Sequence, residues 1–569
     1  MKHLLYSIVI ILVLDVILSN CANPKTPTGG PQDTIPPKMI NAIPANGALN
    51  VDVQEIEIEF DEWITAEKLS QNLIITPQLD IKYKTIVKKN KLILKFEKAF
   101  PDSTTITLNF FDGITDITEK TPAVNLSYVF STGDYLDSLT ISGKVTDLFT
   151  QERIEKILVG IYPYTDTLNF FKSKPTYFTS TSKDGLFSIS NIKNGPYKIV
   201  AFKDDNRNLL FDAAQEIYGF KQDVIQLDTS LTNINISTVQ INASELKKIS
   251  SKANGQYFDA RYSKPIDSLT TNSELPYHLL SDLTTIRYYQ IESYVPGDSI
   301  HTINNVYDSL SNSFIDTLYI KFNESIRKSA NFDLTISPTT KSINIPHTYY
   351  FNFTKPVIKS DLSLVSWKLD SIYQFTIDST FNIKWNQSKT ELTFTHSFDT
   401  AAYYQFQRAH IKQADSLSSD STINQGDKTQ NLQTSKRKLN KGINLSIEKG
   451  AFISSENDTL KAINQPIGFI DKQQTGTIIL NLTTVETHYT VQLINKQYDV
   501  IHEYKPFKTK RIVNLPPGDY GIRILIDSNK DGTWSYGNIL KDIEPEQIFL
   551  YADFTSLRAN WEVSLDISF

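Results

Sequence analysis

The chain has 569 residues, 40% of them hydrophobic and 11% aromatic, with a net charge of −6. That length supports four or five packed domains at roughly 100–150 residues each. Acidic and basic residues are interspersed without a Lys/Arg run, which argues against a nucleic-acid-binding face, and the one cysteine, Cys21, rules out an internal disulfide or a cysteine-based metal site.

The first element in chain order is apolar. Lys2 precedes the stretch Leu4 to Leu18, which is too short to span a bilayer comfortably and carries Asp15 inside it. The stretch ends in Leu18-Ser19-Asn20-Cys21, which resembles a bacterial lipobox with Asn20 in place of the usual small residue. Residues 1–20 are therefore expected to be a signal peptide, and Cys21 the acylated anchor to the membrane. Residues 21–34 form a Pro/Gly/Thr tether. The run "CANPKTPTGGPQDTIPPK" resembles the mature start of Bacteroidetes-type lipoproteins that carry bacterial Ig-like domains. The first charges after Cys21 are Lys25 and Asp33 rather than an acidic cluster. By that resemblance the expected location is the outer membrane, with the periplasmic face favoured over the cell surface.

Strand signals recur along the rest of the chain. "EIEIEF" sets Ile56, Ile58 and Phe60 on one face, "TITLNF" does so with Ile106, Leu108 and Phe110, and "YGIRILI" with Tyr520, Ile522, Ile524 and Ile526. Helical periodicity is almost absent. The fold class expected is all-β, a series of antiparallel β-sandwich domains.

Residues 35–132 resemble the bacterial Ig-like domain of the S-layer type, with a Pro-led strand, the Pro44-Ala45-Asn46-Gly47 turn and a strand ending in Phe60-Asp61-Glu62. Asp61 and Glu62 point to opposite faces and are not expected to act as a catalytic pair. Residues 138–240 resemble a carboxypeptidase regulatory-like, transthyretin-like sandwich through Gly143, Val145, Asp184, Gly185, Phe187, Gly195 and Tyr197. Residues 250–344 are a further β-rich domain. Residues 345–463 echo the first Ig-like segment: "YYFNFTKPVIKSDL" and "SKTELTFTHSF" resemble "IEIEFDEWITAEKL" and "NKLILKFEKAF". The polar stretch 412–441 is expected to be a mobile insertion in this domain. Residues 465–569 are expected to be a second transthyretin-like sandwich, because "GDYGIRILIDSNKD" from Gly518 aligns without a gap on "GPYKIVAFKDDNRN" from Gly195. "RANWEVSLDISF" is its closing strand, with Trp561, Val563, Leu565 and Ile567 on one face.

Two strings invite a chemical reading. In "IDSNKDGTWSYGN", Asp527, Asn529, Asp531 and Gly532 occupy positions 1, 3, 5 and 6 of a calcium loop, but position 12 is Asn538 instead of Glu. In the other copy Asp204, Asn206, Asn208 and Asp212 fit positions 1, 3, 5 and 9, and Glu216 falls one place late. The spacing suits either weak calcium binding or an Asx-rich turn whose side chains bond to the backbone; no other cofactor is implied. Gly297-Asp298-Ser299-Ile300 and Asp499-Val500-Ile501-His502 resemble the nucleophile and Asp-x-x-His blocks of GDSL-type esterases, but they fall in different β-rich domains. No Gly-x-Ser-x-Gly, His-Glu-x-x-His or phosphate-cradling loop is present.

The function expected is non-catalytic: a lipid-anchored envelope protein acting as scaffold or accessory subunit, with an outer-membrane β-barrel complex as its protein partner. A glycan-binding or adhesive lipoprotein is the alternative, and an esterase a remote one. Sandwiches joined by short connections are expected to form an extended rod with small seams, in which removal of residues 465–569 should weaken the partner complex without unfolding residues 35–240.

Overall fold

A computed structural model describes residues 33–569, apart from residues 125, 325–328, 338–341, 344–346, 369–373, 379–380, 397–404, 406–407, 410–441, 470–471 and 552. Cys21 and the insertion 412–441 lie outside the described residues. The chain is an all-β array of two-sheet sandwiches. Leu69–Asn72 forms one short α-helix, and among the described residues no helix is long and apolar enough to cross a membrane.

In the first sandwich, strands Met39–Ile43, Glu55–Phe60, Lys91–Phe96 and Tyr83–Lys88 form one sheet, and Ile74–Thr76, Thr105–Asn109 and Ser127–Ser131 the other. The alternation in the sequence places Ile56, Ile58, Phe60, Ile106, Leu108 and Phe110 in its core, as the period of two demands. The fourth sandwich repeats this plan. Leu334–Ser337, His347–Phe353, Glu391–His396 and Asn382–Trp385 are ordered like the first sheet, and Val357–Ser360 pairs Phe452–Ser454 as Ile64–Thr65 pairs Thr115–Asp116. The ladders place Leu392 opposite Phe351 and Leu92 opposite Ile58. Taking Phe351 with Ile58, Leu392 corresponds to Leu92, two residues from the alignment the strings themselves suggest.

The second sandwich pairs a three-stranded sheet, Leu186–Ile192, Leu139–Asp147 and Leu231–Thr238, with a sheet of Tyr177–Ser180, Leu158–Pro163, Gly195–Phe202, Tyr218–Phe220 and Ile225–Leu227. The fifth has the same order strand for strand: Thr509–Leu515, Gly476–Thr483 and Glu562–Ser568 against Val500–Tyr504, Tyr489–Asn495, Gly518–Ile526, Ile548–Leu550 and Thr555–Leu557. The aligned tyrosines do the same work in each, since Tyr197 donates to the Lys193 carbonyl at 2.8 Å and Tyr520 to the Pro516 carbonyl at 2.7 Å. Both sandwiches close in parallel, Leu139–Asp147 with Leu231–Thr238 and Gly476–Thr483 with Glu562–Ser568. Gly143 is needed where the first of these pairs crowds, because a Cβ there would lie 1.8 Å from the Ile234 carbonyl oxygen. The third sandwich stacks Lys248–Asn254, Tyr257–Tyr262, Thr285–Tyr289 and Tyr277–Leu279 on Ser268–Thr271, Ile300–Tyr307 and Ser313–Ile320.

The sandwiches do not form a rod. One apolar cluster takes Leu158, Tyr162, Phe202, Phe211 and Tyr218 of the second sandwich together with Leu310 of the third and Ile539 of the fifth. Ile74 of the first packs against its edge. The seams therefore bury large side chains, and the fifth sandwich folds back onto the second, past two intervening domains. Removing residues 465–569 would uncover the sheet face of the second sandwich on which Ile539 packs, while its inner core around Ile141, Ile161 and Ile199 is its own.

Candidate functional site: an inter-domain clasp

The sequence that opens like a calcium loop begins where strand Gly518–Ile526 ends. Asp527 accepts from the backbone N–H of Asp531 at 3.2 Å and of Gly532 at 2.8 Å, Asn529 from Asp531 at 2.8 Å, and Asp531 from Thr533 at 2.9 Å. The other copy has the same four bonds. Asp204 accepts from Asn208 at 3.0 Å and from Leu209 at 2.9 Å, Asn206 from Asn208 at 3.0 Å, and Asn208 from Leu210 at 2.6 Å. Lys530 and Arg207 sit at left-handed φ of 61° and 58° at matching places. These are nested Asx turns, in which short side chains replace the backbone partners that a reversing chain loses.

The two loops diverge beyond this turn. In the second sandwich Asp212 caps Ala214 at 3.0 Å, and Glu216 accepts from the Asp212 N–H at 2.8 Å. Burial raises the pKa of Glu216; the Asp212 N–H opposes that rise, while the charges of Asp204 and Asp212 add to it. In the fifth sandwich the chain runs on outward. Asn538 does not face the loop it would complete: its Nδ2 donates to the Leu310 carbonyl at 3.1 Å and to Asn312 Oδ1 at 2.7 Å. Glu546 closes the loop instead, accepting from Asn529 N–H at 3.0 Å and Ser535 N–H at 2.9 Å. Among the described residues no three His, Cys, Asp or Glu side chains are grouped to hold a metal ion.

Residues 534–548 are a clasp. Trp534 and Tyr536 pack on Phe149 of the second sandwich with ring centroids 5.6 and 5.7 Å apart. Arg523 lies 4.9 Å over the same Phe149 ring and donates to Gln492 at 2.8 Å. Asp542 pairs with Lys198, and Glu544 with Lys221 and, at 2.7 Å, with the Gln222 N–H. Gln151 donates to the Ile548 carbonyl at 2.9 Å, and Lys541 to the Ser311 carbonyl of the third sandwich at 3.0 Å. The clasp is not legible in the sequence, where an aromatic and charged tail after an Asx turn looks like any exposed loop.

Other seams use the same chemistry. Lys264, buried, pairs with buried Asp308 at 2.6 Å and donates to the carbonyls of Asn242 and Ser244 in the linker between the second and third sandwiches. Tyr257 of the third donates to Glu456 of the fourth at 3.0 Å, and Lys355 pairs with Glu456 and Asp458.

The remaining candidates separate. Asp61 accepts from the Lys38 N–H at 2.8 Å. Partial burial raises the pKa of Glu62, with Asp116 and Asp33 adding to it. Asp298 and Ser299 lie in an exposed loop of the third sandwich, whereas Asp499 and His502 belong to the fifth, where the His502 ring lies 6.0 Å from that of Tyr504 in a tilted arrangement. The esterase constellation is not assembled. On the outer face of the second sandwich, a trough of about 590 Å³ is lined by Ser142, Lys144, Ser188, Thr232, Asn233 and Asn235. The same face of the fifth sandwich carries exposed pairs instead, Asn481 to Asp566 at 2.8 Å and Arg511 to Glu562 at 2.5 Å.

Comparison with known proteins bears on one part of this assembly. Residues 33–132 match the bacterial Ig-like domain family. No curated protein matches the chain. Among solved structures the chain is similar to BcpA, the major pilin subunit of Bacillus cereus, at 11% identity over 76% of this chain and 99% of that one, TM-score 0.13. It is also similar to the Bacillus anthracis TIE protein at 9% identity over 95% and 76%, TM-score 0.12. A third is the surface layer protein SbsC, domains 1–6, at 9% identity over 92% and 67%, TM-score 0.14. Such scores bear neither on how the sandwiches are arranged nor on function.

Proposed function

We propose that the protein is a non-catalytic scaffold or accessory subunit of a bacterial outer-membrane complex, held on the periplasmic face by acylated Cys21. The observation that carries this reading is the clasp. Its aromatic, charged and amide side chains are spent on fixing the second, third and fifth sandwiches to one another. A body stiffened in this way presents several faces at fixed separation, which suits protein–protein contact, and exposed strand edges are ready docking sites. The resemblance to Ig-like lipoproteins supports the envelope location, and an outer-membrane β-barrel complex is the partner proposed. Gentle solubilisation of native membranes followed by affinity purification tests it. The protein should migrate in a large complex with a β-barrel subunit; migration as a monomer alone would sink the scaffold reading.

The trough on the second sandwich favours a second reading, glycan binding. Its hydroxyl and amide groups suit a polyhydroxylated ligand. Titration with envelope oligosaccharides, comparing the native chain with Ser142→Trp, would detect saturable binding that the variant loses.

A further inference from the structure

We propose that the free end of the first sandwich is a membrane-contacting tip whose loops dip into the lipid headgroup region; this rests on the reading of Cys21 as the lipid anchor. The sandwich has two ends. One runs through Ser131 and Leu139 into the second sandwich. At the other end the N-terminal segment arrives: Lys38 N–H donates to Asp61, and Asp61 N–H to the Lys38 carbonyl at 3.1 Å. Only residues 22–32 separate Cys21 from this end. Eleven residues reach at most about 40 Å when fully extended. An acyl chain on Cys21 therefore keeps this end within that distance of the bilayer.

The same end carries exposed apolar side chains at its loop tips. Ile35, Trp63, Phe111, Ile117 and Val124 are 61%, 56%, 37%, 51% and 66% exposed. They come from loops that the fold ties together: Ile117 N–H donates to the Trp63 carbonyl at 3.2 Å, and Ile64 pairs Asp116 in the two-stranded ladder below. Phe111 is held at a φ of 42°, a backbone region that bulky residues avoid. Lys89 lies 5.7 Å over the Trp63 ring, which is more than half exposed. Tryptophan partitions to the headgroup level of bilayers, and lysine stems snorkel there. Lysines and carboxylates of these loops are mixed, as in the Lys120–Glu67 contact at 3.9 Å. Contact is thus apolar rather than electrostatic, and it selects a bilayer surface without demanding anionic lipid.

The test uses the full-length processed protein in phosphatidylcholine vesicles whose acyl chains are brominated near the headgroup. Tryptophan emission should contain a component quenched by bromine, and that component should vanish in Trp63→Phe while persisting in Trp561→Phe. Ile117→Asp, which keeps Trp63, should cut it by half or more, and high salt should leave it unchanged. Quenching equal in wild type and Trp63→Phe would overturn the tip, as would cross-linking of a photoreactive residue at position 63 to protein instead of lipid. Mass spectrometry of Cys21 separates the two readings. An unacylated Cys21 defeats the anchor, while quenching of the same chain mixed with vesicles still decides the tip.

Discussion

Ile539→Ala probes the clasp where it is deepest. Ile539 is 5% exposed and belongs to the apolar cluster built on the second sandwich. Truncation removes three carbons, worth about 0.8 kcal/mol each on area grounds, and leaves a void that the stiff sheet below cannot fill, so a loss of about 3 kcal/mol is expected. The fifth sandwich has its own core, around Ile522, Ile524 and Val491. The loss should therefore fall on docking rather than on folding. At 1.4 kcal/mol per decade, the undocked fraction should rise about 100-fold. Hydrogen exchange read by mass spectrometry should show residues 534–548 and 147–152 exchanging faster by up to that factor. Strand Glu55–Phe60 in the first sandwich should be unchanged. Unaltered protection of 534–548 would refute the idea that this loop holds the fifth sandwich in place. A uniform loss across all sandwiches would show that the seam is not separable from the cores.

Two further outcomes concern the Asx loops. Glu216 has a raised pKa, so its ionisation opposes folding: the stability it contributes is fullest below its ordinary value of 4.5 and is lost as pH rises through the folded value. Glu216→Gln, which keeps an acceptor for the Asp212 N–H, should melt higher than wild type at pH 7, and the gap should close as pH falls below 4.5; a gap that widens in acid would reverse the assignment. Asp527→Ala strips the acceptor from two backbone N–H groups and should cost about 1–3 kcal/mol in calorimetry. Millimolar calcium should move the wild-type transition little, and a large calcium-dependent rise abolished by Asp527→Ala with Asp204→Ala would assign these loops a metal.

The parts of the fold legible in the sequence were those governed by local periodicity. Ile56, Ile58 and Phe60, or Tyr520, Ile522 and Ile524, declare one buried face by alternation alone. The gapless match of Gly195–Asn208 to Gly518–Asp531 fell on strands with the same neighbours and on Asx turns with the same bonds. What escaped depends on contacts far apart in sequence. Arg523 and Leu525 occupy the face that alternation assigns to solvent, yet both are buried, because the seam with the second sandwich covers that sheet. Asn538 read as a failed calcium ligand, and its partners, Leu310 and Asn312, lie more than two hundred residues away. Trp561, grouped by alternation with Ile567, is half exposed because it lies just before the closing strand Glu562–Ser568, with Arg558 over its ring. The rod expectation failed for the same reason, since a short linker limits distance but does not fix direction.

Zero-length carbodiimide cross-linking in native membranes tests the central claim, that the chain folds back into one clasped body able to serve as a scaffold. Lys221 and Glu544 are 2.5 Å apart across the seam, and Lys91 and Glu57 are 2.6 Å apart within the first sandwich. The account predicts an intramolecular Lys221–Glu544 amide alongside the Lys91–Glu57 one. The second link without the first would mean that the fifth sandwich swings free and that the clasp does not exist.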